Sequence, residues 1–136
     1  MEKKEQYTLT LSREQAIIVE SACELYARLK IGQFNRITEM MLDIKNVEDY
    51  CFRRDIADGI LKTAACVIFG MNQYGLPDVT KDIPHNRAWD VYQVLRYTRS
   101  WHENPKGGWT VNYDKPMSLI GEPLPKCEIE VVGNGS

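Results

Sequence analysis

No C-x-x-C pair joins the four cysteines, Cys23, Cys51, Cys66 and Cys127, and the 136-residue chain has only two histidines, His85 and His102. Zinc would have to combine those histidines with distant cysteines, so no metal site is expected. Walker, G-x-G-x-x-G, G-x-S-x-G and H-E-x-x-H signatures are also missing. Asp55 and Asp58 occupy neighbouring positions of one helix face, where solvated carboxylates rather than an acid–base pair are expected. The reading is therefore non-enzymatic, with no catalytic residues and no cofactor. A net charge of −2 supplies no global basic field, which counts against nucleic acid and anionic membranes as partners. Neither a signal peptide nor a transmembrane run is evident, so a cytoplasmic protein with reduced thiols is expected.

What is there is an ordinary globular composition, 43% hydrophobic and 26% charged. That length predicts a single domain over residues 1–136, with an ordered core from about residue 7 to 132. Tyr7–Leu11, YTLTL, alternates like a strand. Ser12 and Gln15 form a capping-box signature opening a helix to about Lys30, with Ile18, Ala22, Leu25 and Leu29 on its buried face and Gly32 ending it. Gln33–Leu42 reads as a second helix. Asn46 with Asp49 starts a third, which runs to Phe69 and stops at Gly70. In that helix Ile56, Ala57, Ile60, Ala64, Val67 and Ile68 form the expected core face, and Arg53 projects into it.

Residues 71–83 read as loop, followed by a helix over Pro84–Trp101. Trp109–Tyr113 and Cys127–Val132 read as strands, joined by a proline- and glycine-bearing connection over Pro116–Pro125. The predicted fold class is α+β, with three to four helices and a small antiparallel sheet formed by N- and C-terminal strands.

The Pro84–Trp101 helix carries the most specific chemistry. At about 100° per residue, Ala88, Val91, Tyr92, Leu95 and Thr98 make an apolar stripe, and Trp89, Tyr92, Arg96 and Arg99 line one edge of it. Rings that stack on a base and guanidiniums that fork onto phosphate suit a planar anionic ligand. Ordinary packing competes with that reading, since arginine stems also cover the rim of a core. The candidate phosphate groups are Arg53, Arg54, Arg96 and Arg99, and the candidate stacking rings are Tyr74, Trp89 and Tyr92. Asn72, Asn86 and Gln93 are candidates to read a base edge.

Two segments carry a resemblance, YTLTLSREQA with CELYARLKIGQF and IPHNRAWDVYQVLRYTRSWHENP with VNYDKPM. They resemble a family of small phage and prophage proteins similar to the phage anti-Thoeris sponge proteins. The resemblance spans most of Tyr7–Ile129, and LYARLKIGQF and AWDVYQVLRY mark it best. It implies an anti-defence protein that binds and sequesters a cyclic ADP-ribose isomer without cleaving it. It further implies a homo-oligomer, a dimer or higher, acting in the cytoplasm of an infected bacterium. The alternative is a phage protein-interaction module that inhibits a host enzyme through an aromatic surface, for which Trp101, Trp109 and Tyr113 are candidates.

Overall fold

The computed structural model describes residues 4–45, 47–70, 82–108, 114–119 and 121–132. Four helices run in order along the chain: α1 Arg13–Lys30, α2 Asn35–Met41, α3 Tyr50–Phe69 and α4 Ile83–Glu103. Local chemistry sets their ends. Ser12 Oγ accepts from the Gln15 amide while the Gln15 side chain accepts from the Ser12 amide, so the capping box is complete. Asp82 accepts from the His85 amide at 2.8 Å and caps α4, with Pro84 in its first turn. Gly70 closes α3 at φ 66°, in the left-handed region glycine tolerates. Asp49, immediately before α3, also lies there at φ 56°. Asn46 and residues 71–81 lie outside the described residues.

The helices assemble as two pairs. Helix α1 packs along α4, and α2 packs on α3, while α2 also touches α1. The short α2 runs antiparallel to α3, with Phe34 edge-on to Phe69 at 5.9 Å. Helix α3 packs against neither α1 nor α4.

The predicted sheet is absent: among the described residues there are four helices and no strand. Tyr7 and Leu9 are 90% and 72% exposed, and Cys127–Val132 forms no ladder among the described residues. Alternation shows only that a segment suits a pleated surface, and a strand also needs a neighbour for its amides. Trp109–Tyr113 lies outside the described residues. The C-terminal segment is held by side chains of α4 instead. Asp90 accepts from the Leu119 amide at 2.7 Å and from Ser118 Oγ at 3.3 Å, Tyr97 donates to the Asp114 carbonyl, and Arg87 forks onto Glu122. The segment thus runs back along α4, antiparallel to it.

Two predicted core faces are also corrected. On α1 the buried residues are Glu20, Glu24 and Ala27, whereas Ile18 is 68% exposed and Ala22 is exposed as well. The buried arc lies roughly opposite the apolar stripe, because α4 docks through charge pairing on the glutamate side. On α3 the expected core stripe faces outward, since α2 covers one flank and no other helix arrives. Ala65 is the buried residue of that helix.

Candidate functional site

Helix α4 is enclosed on two sides, by α1 and by the returning C-terminal segment, and its buried positions are mostly polar: His85, Asn86, Asp90, Tyr92, Gln93, Val94 and Ser100. Buried polar groups must find partners or destabilise the fold. Along the α1–α4 seam the partners are charged. Glu20 receives a bidentate fork from Arg99, Nε to Oε2 and the terminal nitrogen to Oε1, both at 2.9 Å. Arg99 also reaches Glu103 at 3.1 Å, and Arg13 reaches the same carboxylate at 2.9 Å. One turn on, Glu24 is shared by Arg28 at 2.9 Å and Arg36 at 3.1 Å, which ties α2 to α1. Arg36 continues to Glu39, and Arg28 donates to Gln33.

These contacts set the protonation chemistry. The Glu20 hydrogen bond holds the Arg99 guanidinium above its already high ordinary value. Hydrogen bonds from Arg13, then from Arg99, pull the Glu103 carboxyl below its ordinary range. Burial, with Glu24 nearby, pushes the Tyr92 phenol up, so it stays a neutral donor at physiological pH.

The aromatic edge predicted on α4 does form. Trp89 and Tyr92 have ring centroids 5.2 Å apart, and His85 stacks on Trp89 at 6.3 Å. His85 Nδ1 lies 2.8 Å from Asn86 Oδ1. Arg28 lies 5.5 Å over the Trp89 ring and Arg96 lies 5.9 Å over Tyr92. The faces expected to stack a base are therefore already covered by cations of the chain itself.

The predicted site residues fall into two groups. Asn86, Trp89, Tyr92, Gln93, Arg96 and Arg99 lie together along α4, with the amides of Asn86 and Gln93 buried rather than presented to solvent. Arg53 and Arg54 sit on α3, which does not pack on α4. Arg54 pairs with Asp55 at 3.1 Å, and its guanidinium lies 5.8 Å from the Tyr50 ring. Arg53 is exposed rather than inserted in a core stripe. It borders an apolar groove of about 420 Å³ between α2 and α3, lined by Ile37, Met41, Ala57, Ile60 and Leu61 among others. Asn72 and Tyr74 lie outside the described residues.

Sequence reading missed Glu20, Glu24 and Asp90, which organise the seam and anchor the C-terminal segment. Only Glu24 carried a legible signal, its i,i+4 spacing to Arg28. All four cysteines are free thiols. Among the described residues no cluster of three His, Cys, Asp or Glu side chains is placed to hold a metal ion. No helix among them is long and apolar enough to cross a membrane. Comparison with known protein families, with characterised proteins and with solved structures yields no match. The functional reading accordingly rests on the geometry.

Proposed function

We propose that this chain is a non-catalytic interaction protein that works by presenting apolar helical surface to another polypeptide. The observation that carries this reading is the orientation of α1. Its glutamates Glu20 and Glu24 face α4, while Ile18, Ala22 and Tyr26 face solvent, with Ile18 68% and Tyr26 49% exposed. A contiguous apolar face of this kind is what interaction surfaces bury on binding. The ion-pair seam behind it holds α1 on α4, so the face is presented preformed and costs little ordering when a partner docks. In the setting implied by the phage-family resemblance, the partner is a host enzyme.

Engagement of the arginines supports this choice over capture of a phosphate ligand. Arg28, Arg36 and Arg99 all hold carboxylates of the chain. An incoming anion would have to displace them, and a carboxylate already paired at 10% side-chain exposure is expensive to strand. The second reading, sequestration of a cyclic nucleotide such as the ADP-ribose isomer, keeps one favourable observation. Arg53, beside its groove, makes no ion pair or hydrogen bond to a described residue.

One pair of measurements separates the two. An interaction protein forms a stoichiometric complex with an enzyme, lowers that enzyme's activity, and loses both properties in Ile18→Glu. Retention of the complex in that variant would sink the reading. A ligand sponge instead shows a concentration-dependent thermal shift with cyclic nucleotides and releases them uncleaved when denatured.

A further inference from the structure

The groove between α2 and α3 has a chemistry of its own. Its walls are Ile37, Met41 and Leu42 on α2 and Ala57, Ile60 and Leu61 on α3, enclosing about 420 Å³. It is open on one side, where Met41 and Ile60 are 71% and 66% exposed. Two polar residues, Arg53 and Thr38, interrupt the apolar lining. The side chain of Arg53 makes no ion pair or hydrogen bond to a described residue. By contrast Arg28, Arg36, Arg54, Arg87 and Arg99 each hold a carboxylate. Thr38 is 5% exposed, and its hydroxyl has no hydrogen-bond partner among the described residues.

We infer that this groove binds a single-chain amphiphilic carboxylate, a medium-chain fatty acid, with Arg53 and Thr38 holding the head and the apolar walls holding the chain. The site is separate from the outer face of α1 and does not depend on the interaction-protein reading.

Charge selects an anionic head. A guanidinium forks onto a carboxylate, and a threonine hydroxyl donates to a lone pair that the guanidinium leaves open. The first turn of α3 holds no acidic residue and Asp49 caps no amide there, so the positive end of the helix adds to the field of Arg53. Asp55 is already held by Arg54 at 3.1 Å. A buried hydroxyl without a partner destabilises the fold, and a ligand oxygen relieves that cost.

The lining selects the remainder of the ligand. One free cation matches one negative charge. A nucleotide brings polar base edges and ribose hydroxyls, and apart from Arg53 and Thr38 the lining has no polar side chain to meet them and no ring to stack on. From Arg53 to Leu61 the wall on α3 rises about 12 Å. That is the extent of a stretched chain of roughly eight to ten carbons at ordinary carbon–carbon bond lengths. The volume lies toward the lower end of the about 300–1,000 Å³ of small-molecule pockets.

The test titrates the full chain by calorimetry with unbranched carboxylates of six to twelve carbons, each below the concentration at which it forms micelles. One molecule is expected per chain. Each added methylene should tighten binding roughly twofold, below the about fourfold of a fully buried methylene because the groove is open. The gain should end near ten carbons, where the wall ends. At pH 8 octanol should bind at least tenfold more weakly than octanoate. Arg53→Gln should weaken octanoate at least tenfold and leave octanol unchanged. Thr38→Val should raise the thermal stability of the unliganded chain and weaken octanoate at least threefold. Lack of saturable binding, octanol as tight as octanoate, or octanoate binding that survives Arg53→Gln or Thr38→Val would each overturn the proposal. Displacement of octanoate by a cyclic nucleotide would also overturn it, in favour of a phosphate ligand. A chain that binds no carboxylate yet forms the Ile18-dependent complex would leave the interaction-protein reading standing while the groove assignment fails.

Discussion

Removing Arg99 should cost this protein more stability than any other single arginine truncation on α4, and the reason lies in Glu20. That carboxylate has a side-chain exposure of 10%, and both of its oxygens receive Arg99 nitrogens at 2.9 Å. Arg99→Ala deletes two charge-assisted hydrogen bonds and leaves a nearly buried negative charge beside Glu24. Stranding one member of a fully buried pair costs about 3–5 kcal/mol. Arg99 is 30% exposed, so water reaches part of the pair and the expected cost falls to about 2–3 kcal/mol. In urea unfolding at neutral pH this lowers the midpoint by about 1–2 M at an unchanged slope. Glu20→Leu combined with Arg99→Met, which removes both charges and keeps the volume, should recover most of the loss. In the cycle formed by Glu20→Leu, Arg99→Met and the two combined, the coupling energy is expected near 2 kcal/mol. A loss below about 0.5 kcal/mol in Arg99→Ala, or strict additivity in the double variant, would refute the view that the α1–α4 seam is held by this pair. The same result would return Arg99 to the pool of groups available to an anionic ligand.

Two further expectations follow from the seam and the segment bound to it. Asp90→Ala, which removes the acceptor for the Leu119 amide and Ser118 hydroxyl, should cost about 1–3 kcal/mol and speed hydrogen exchange and proteolysis of residues 114–122, with α1 unaffected. Glu103 has its pKa lowered from an ordinary 4.5. Its contribution is therefore fully present above pH about 4.5 and is lost as pH falls through the depressed folded value. Glu103→Gln should lower stability at neutral pH and flatten the acid limb of the pH–stability curve, and an unchanged acid limb would count against the Arg13–Glu103–Arg99 bridge.

Helix boundaries were legible because their causes are local. The Ser12 capping box, Pro84 and the glycine after Phe69 act within one turn, and α1, α3 and α4 begin and end within a few residues of where those signals put them. Faces were less legible. On α1 the stripe Ile18–Ala22–Leu25–Leu29 is real as a pattern, but a pattern says only which side seeks an apolar neighbour, not whether this chain supplies one. The α4 flank of Trp89, Tyr92, Arg96 and Arg99 formed as spaced. Its availability did not follow from spacing, because Glu20, Arg28 and Glu24 reach it from α1 across long stretches of sequence.

The sequence by itself determined the capping box that opens α1, the glycine that stops α3, the proline in the first turn of α4, the clustering of aromatic and cationic side chains along one flank of α4, and the lack of known catalytic motifs. These depend on residues within a few positions of one another and need no knowledge of the fold. Only the tertiary structure decided that the terminal segments form no strand among the described residues, that Arg99 is spent on Glu20 of α1, and that α3 packs on neither α1 nor α4. Each of those outcomes is a competition among distant groups for one partner. A strand forms only if a neighbour takes its amides, a guanidinium is free only if no carboxylate reaches it first, and an apolar face is core only if something arrives to cover it.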